Sequence, residues 1–284
     1  MPKSKDIERA YAYCQKLAQN HYENFPVASI LVPKALRKPI SAVYAFARTA
    51  DDIADEGDAT NQERIAKLDE FQQNLNKSAN DEPVDHPIFI ALADVIKQHP
   101  SSITPLGDLL KAFRSDVTTN RYQTDEQLLD YCRYSANPVG KLVLILSNNA
   151  TPENIAYSDN ICSALQLINF LQDIDIDYQD KQRIYIPLDD MQRFNVSETV
   201  LANKQNSNDL YSLVNHQIDR AESLLNRGLP LPKYLPGRLG WEIKLTIAGA
   251  QQVIKALRRR KDIFSQPHLT KSDWLSMATR ALFA

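Results

Sequence analysis

Five carboxylates fall within eight positions of the stretch RTADDIADEGD: Asp51, Asp52, Asp55, Glu56 and Asp58. Like charges three or four residues apart on a helix repel by roughly 0.3 kcal/mol per pair. Either water solvates this cluster or a cation neutralises it. On a helix, Tyr44, Arg48, Asp51, Asp52 and Asp55 share one face, at offsets of 0, 4, 7, 8 and 11. A second polar stripe follows about 120 residues later: Gln166, Asn169, Asp173 and Asp177, at offsets of 0, 3, 7 and 11. Each stripe interrupts an apolar run, AVYAFA in the first and ALQLINFLQDI in the second.

Carboxylates on an apolar helix need a partner. Two such stripes turned toward one another would hold hard divalent cations. Mg²⁺ favours carboxylate oxygen, takes one or two carboxylates per site, and keeps positions open for water and phosphate. Bare acidic walls repel a diphosphate; with Mg²⁺ between, they bind it, and the ions neutralise charge on a departing diphosphate. The plain alternative for residues 51–58 is a solvated helix end, although acid there opposes the helix dipole. Asn169 and Gln166 by themselves read as buried amides. DIDIDYQD at 173–180 carries the D-x-D-x-D of a calcium loop but has Tyr178 at the sixth position and Ile184 at the twelfth, where Gly and Glu are required.

The elements that must position these residues read as helices throughout. Helical periodicity predicts helices over 4–20, 38–56, 60–77, 87–98, 105–120, 124–135, 138–149, 152–176, 209–228, 238–260 and 271–282. HYENFPVAS, SANDEPVDHP, HPSSITP, YQDKQRIYIP and the proline-rich LPLPKYLPG read as links. No strand alternation and no Asn-Gly hairpin signal interrupts the series. The prediction is an all-α chain with short links and a single domain over 1–284.

The bulk numbers narrow the function classes. A 284-residue chain with 43% apolar content supports a large core. A net charge of −2 supplies no basic field, which argues against a nucleic-acid partner. Three scattered cysteines, Cys14, Cys132 and Cys162, fit reduced thiols and a cytoplasmic location. The N-terminal residues lack the apolar core of a signal peptide, and no run approaches 18 apolar residues, so no spanning helix is expected. ALRRRKD at 256–262 reads as a solvated basic face, with attraction to anionic lipid second; peripheral association at the inner membrane face stays open.

With these residues in view, the sequence resembles the squalene/phytoene synthase family of head-to-head isoprenoid enzymes. DDIAD (51–55) is similar to its first aspartate-rich motif, and QLINFLQDIDID, with Asp173 and Asp177, to its second. Tyr44 and Arg48 in YAFAR, Tyr131 in YCRYSANPVG, and RIYIP (183–187) extend the match. The resemblance implies an isoprenoid-synthase bundle around a central apolar cavity, where a carbocation meets no stray nucleophile. It implies Mg²⁺ on Asp51, Asp52, Asp55, Asp173 and Asp177, and substrate contacts from Arg48, Gln166, Asn169, Asn24, Phe25 and Arg183. Tyr131, Arg48 and Tyr44 would be catalytic.

Departures point to a branch. HYENFPVAS has Glu23 where family members commonly carry a cation and Asn24 where Ser is common; SANPVG replaces a segment more like VAGTVG. With ARTADDIADEGD, these look most like the hydroxysqualene synthases of bacterial hopanoid pathways. The resemblance implies ionisation of presqualene diphosphate and capture of the cation by water, without NADPH, and a functional link to other squalene-pathway enzymes. The alternative is a complete squalene or phytoene synthase that condenses two prenyl diphosphates.

Overall fold

A computed structural model describes residues 4–20 and 33–267. Thirteen α-helices occur among them: α1 (Ser4–Asn20), α2 (Lys34–Asp55), α3 (Asn61–Ala79), α4 (Pro87–Gln98), α5 (Ile103–Asp116), α6 (Asp125–Ser135), α7 (Asn137–Leu146), α8 (Pro152–Gln172), α9 (Ile174–Lys181), α10 (Leu188–Arg193), α11 (Glu198–Ala202), α12 (Asn208–Gly228) and α13 (Gly237–Arg259). No strand is present among the described residues; one isolated parallel bridge joins Arg121 and Ile184. The all-α prediction therefore holds.

The chain divides into two compact units, Met1–Thr118 with Pro138–Ile155, and Thr119–Asn137 with Ala156–Ala284. In the first, α1 to α5 and α7 enclose an apolar core. α2 buries Ile40, Val43, Phe46, Ala50 and Ala54, which recur at helical spacing. Phe46 stacks on Phe71 with ring centroids 5.2 Å apart, and Phe71 meets Phe89 edge-on at 4.7 Å. Polar caps set the helix starts. Thr60 and Glu63 form a capping box at α3, and the His86 side chain accepts from the Ile88 amide at α4.

In the second unit, α12 packs against α8 so closely that a Cβ on Gly228 would lie 2.3 Å from Ile161 Cγ1 and 2.9 Å from the Tyr157 carbonyl oxygen. Glycine is required there by the approach of backbones. Arg220 of α12 ion-pairs with Asp125 at the start of α6 and with Asp190 of α10, and Gln217 donates to Asp190 at 2.8 Å. One guanidinium thereby ties three helices together.

The predicted boundaries hold at 4–20 and 87–98 and shift elsewhere. α2 begins at Lys34 and carries Pro39 inside it, past its first turn, at the cost of one intrahelical hydrogen bond. The predicted 152–176 helix breaks at Asp173, whose φ of −105° and ψ of 18° leave the helical region, and α9 then takes in the first four residues, 178–181, of the predicted YQDKQRIYIP link. DIDIDYQD is thus mostly helical, in keeping with its rejection as a calcium loop. The predicted helix 271–282 lies outside the described residues.

Candidate active site

The first acidic stripe lies in the first unit. Tyr44, Arg48, Asp51, Asp52 and Asp55 are all half-buried along the face of α2 opposite its apolar stripe. Arg48 reaches three carboxylates of its own segment: Asp52 at 2.8 Å, Glu56 at 2.7 Å and Asp51 at 3.7 Å. One cation thus offsets part of the crowding. The Asp51 side chain is 42% and that of Asp52 34% exposed, although Asp52 Oδ1 is itself buried.

The end of this stripe is held by Arg64, which the sequence reading did not select. Arg64, 9% exposed, donates to four backbone carbonyls around the C-terminus of α2: Ile53 (3.0 Å), Glu56 (2.9 Å), Gly57 (2.6 Å) and Ala59 (3.0 Å). These include carbonyls that a helix end leaves without internal partners, and a cation there also favours the dipole. Gly57, at a φ of +74°, turns the chain back toward Arg64. A signal was present: Arg64 heads the buried stripe Leu68, Phe71, Leu75 of α3, and a cation on an apolar stripe needs acceptors.

The second stripe lies in the second unit. Gln166 and Asn169 are half-buried on α8. The Asp173 amide donates to the Asn169 carbonyl at 3.0 Å and the Asp177 amide to the Asp173 carbonyl at 2.8 Å. The helical spacing of the stripe therefore survives the break at Asp173. Burial raises the Asp173 carboxyl above its usual range, although hydrogen bonds from Gln266 (3.2 Å) and Asn169 pull the other way. The intervening Asp175 is taken by Lys204 at 2.8 Å. No three His, Cys, Asp or Glu side chains converge as a ready-made metal site among the described residues. Magnesium does not require that, since one or two carboxylates with water and phosphate oxygen suffice.

Arg183 and Tyr131 are positioned by pairing distant in sequence. Residues 120–123 run beside 184–189: the Ile184 amide donates to Asn120 at 3.0 Å, Leu188 to Tyr122 at 3.0 Å, and Asp189 to Gln123 at 3.1 Å. Arg121 locks this pairing through Glu198 at 2.6 Å and the Gln182 carbonyl. Arg183 is thereby buried, its amide bonded to the Asp177 carbonyl at 2.9 Å. Tyr185 lies flat on Phe170 of α8, with centroids 3.7 Å apart and planes 5° apart. Tyr131 lies 6.3 Å from Phe170 and 6.0 Å from Tyr185, and Tyr122 completes the group at 5.8 Å from Tyr185. Phe170, Asp177, Arg183 and Tyr185 line one small cavity with Ile174 and Leu201. Asp177, Arg183 and Phe170 thus come together; Tyr185 and Tyr122 were not selected from sequence.

The basic run near residue 258 departs from a simple solvated face. Arg258 ion-pairs with Asp219 at 2.6 Å and Glu222 at 2.8 Å. Burial pulls the Arg260 guanidinium down to about 10, and its Nε and Nη2 have no hydrogen-bond partner among the described residues. Asn24 and Phe25, predicted substrate contacts, and Glu23 lie outside the described residues. No helix among the described residues is long and apolar enough to cross a membrane.

The family model for squalene/phytoene synthase matches residues 18–274, running through both units. The hydroxysqualene synthase of Zymomonas mobilis is 36% identical, with 90% of this chain and 86% of that protein covered. The hydroxysqualene synthase of Rhodopseudomonas palustris is 34% identical, with 87% and 83% covered. The crystal structure of the squalene synthase HpnC from Alicyclobacillus acidocaldarius is similar at a TM-score of 0.85 and 34% identity, with 94% and 98% covered. The all-α isoprenoid-synthase fold, the two aspartate-bearing helices and these likenesses agree: the chain belongs to the squalene/phytoene synthase family, as an isoprenoid synthase that acts on prenyl diphosphates.

Proposed function

We propose that the protein converts presqualene diphosphate to hydroxysqualene and diphosphate, with residues 1–284 working as one catalytic domain. The observation that carries the reading is the second stripe: Asp173 and Asp177 one turn apart beside a wall of Phe170, Tyr185 and Tyr131. Carboxylates that bind a metal diphosphate and rings that face a hydrocarbon cation are what ionisation of a prenyl diphosphate needs. The names of the two relatives cited favour hydroxysqualene as product.

The residues fit Mg²⁺ by the chemistry of their donors: Asp51, Asp52, Asp55, Asp173 and Asp177 offer hard carboxylate oxygens, one or two per ion. Bound there, Mg²⁺ would neutralise the leaving diphosphate. Arg48 and Arg183 bind diphosphate oxygens, and Arg48 exchanges its carboxylate partners for the substrate. Arg260, with two nitrogens still able to donate, is a further cation for that anion. Gln166 and Asn169 orient the substrate on the α8 face, and Asn24 and Phe25 are further substrate contacts. Tyr44, Tyr131, Tyr185 and Phe170 present π-faces that stabilise positive charge without acting as nucleophiles. Apolar surroundings keep bulk water from the cation.

Purified protein given presqualene diphosphate with Mg²⁺ and no NADPH should yield hydroxysqualene by mass spectrometry. Rapid carbon–carbon coupling from farnesyl diphosphate alone would replace this reading with a complete condensing synthase.

A further inference from the structure

Water capture requires one water held near the cation while the rest are kept away, and a polar group without a partner marks where it sits. Ser135 Oγ is buried and has no hydrogen-bond partner among the described residues. A buried hydroxyl normally finds one, and an orphan calls for a water or a ligand. Ser135 closes α6 four residues after Tyr131, so both side chains occupy one face of that helix. That face is turned to α8, because Tyr131 meets Phe170 there.

Two residues further on, Asn137 accepts a hydrogen bond from Ser163 of α8 at 2.9 Å. The contacts Tyr131–Phe170 and Asn137–Ser163 run antiparallel, so Ser135 falls at the level of Gln166. Ser163, Gln166, Phe170 and Asp173 are spaced to share the α8 face that carries the second stripe. At 1.5 Å per residue, Gln166 lies about 10 Å along the axis from Asp173. That is on the order of a diphosphate and one further bond. Two hydroxyls and an amide thus gather beside Tyr131 and Phe170, on the α8 face that leads to Asp173.

We infer that Ser135, with the Asn137–Ser163 pair, positions the water that captures the carbocation; this rests on the hydroxysqualene reading above. A buried water requires two to four polar partners, and the Ser135 hydroxyl with the Ser163 and Asn137 side chains would supply them. After the cyclopropylcarbinyl cation has rearranged, the lone pair of this water closes the new C–O bond as the three-membered ring opens. One of its protons passes to the released diphosphate, which already carries both electrons of the broken C–O bond. No oxidant or reductant is needed. Without the held water, the same cation loses a C–H proton to the diphosphate and becomes an olefin.

The test is the alcohol-to-olefin ratio formed from presqualene diphosphate with Mg²⁺, which reports partition of the cation whatever the overall rate. Ser135→Ala should lower that ratio at least tenfold, Ser135→Thr should restore most of it, and Ser163→Ala should lower it less. Should Ser135→Ala fail to fold, Ser163→Ala alone must still lower the ratio at least threefold. A ratio in Ser135→Ala and Ser163→Ala within twofold of the parent would overturn the water site while leaving the hydroxysqualene reading intact. A parent that forms no alcohol would overturn both.

Discussion

Replacing Arg64 with Met tests whether the first acidic stripe depends on its anchor. The side chain is nearly buried and donates to four backbone carbonyls at the end of α2. Met keeps much of the volume and removes every donor. Hydrogen bonds from a charged donor are each worth about 1.5–3 kcal/mol, but they do not add, and Glu56 and Gly57 are exposed enough for water to replace part of what is lost. The net expectation is about 3 kcal/mol of stability, or roughly a hundredfold in the unfolding equilibrium. The freed helix end also carries Asp52 and Asp55, and a shift of about 1 Å at a binding group can lower turnover on the order of a hundredfold. Urea unfolding followed by circular dichroism gives the first quantity; turnover against Mg²⁺ concentration gives the second. Arg64→Met should be destabilised and should need more Mg²⁺ for half-maximal rate. Arg64→Lys, which reaches fewer of the four carbonyls, should fall between. Parent-like stability together with a parent-like Mg²⁺ dependence in Arg64→Met would refute the anchoring role.

Gly228→Ala places a methyl against Ile161 and the Tyr157 carbonyl, and overpacking of this kind costs about 1–3 kcal/mol. Its melting temperature should drop by several degrees, and an unchanged value would mean that α12 moves away freely. Burial pushes the Cys14 and Cys132 thiols up to about 12, whereas Cys162 is only half-buried. Alkylation of the native protein at ~pH 8 should add one label, at Cys162, by intact mass, since reactivity follows the thiolate; early labelling of the other two would contradict the packing of α1 and α6. Asp173 is raised by burial, so the folded state disfavours its charged form and loses stability as pH climbs above the unfolded value of ~3.9. Asp173→Asn in chelator should therefore melt above the parent at neutral pH, with the gap closing near ~pH 3; a lower melting point at neutral pH would show that the charged form is favoured.

Much of this was legible in the sequence because it is local. Helical periodicity and the proline at residue 87 set α1 and α4 to the residue, and the two polar stripes could be read from spacing alone. What escaped depends on distant pairing or on brevity. α10 and α11 have six and five residues, too few to display a period. Tyr185 reaches Phe170 only because residues 120–123 run beside 184–189, and Gln266 meets Asp173 across 93 positions. Asp173 looked like mid-helix because its backbone bonds keep helical spacing through the break. Arg260 looked like one more surface cation in a basic run, whereas its burial is set by how the end of α13 packs.

In the proposed function both acidic stripes are needed for one magnesium-bound diphosphate. Calorimetric binding of a non-ionisable prenyl thiodiphosphate, with and without Mg²⁺, tests it on the parent, Asp51→Asn, Asp173→Asn and the double variant. The account predicts Mg²⁺-dependent binding in the parent, loss in either single variant, and a double variant no worse than the weaker single, because coupled sites are not additive. Undiminished Mg²⁺-dependent binding in either single variant, or losses that simply add, would contradict it.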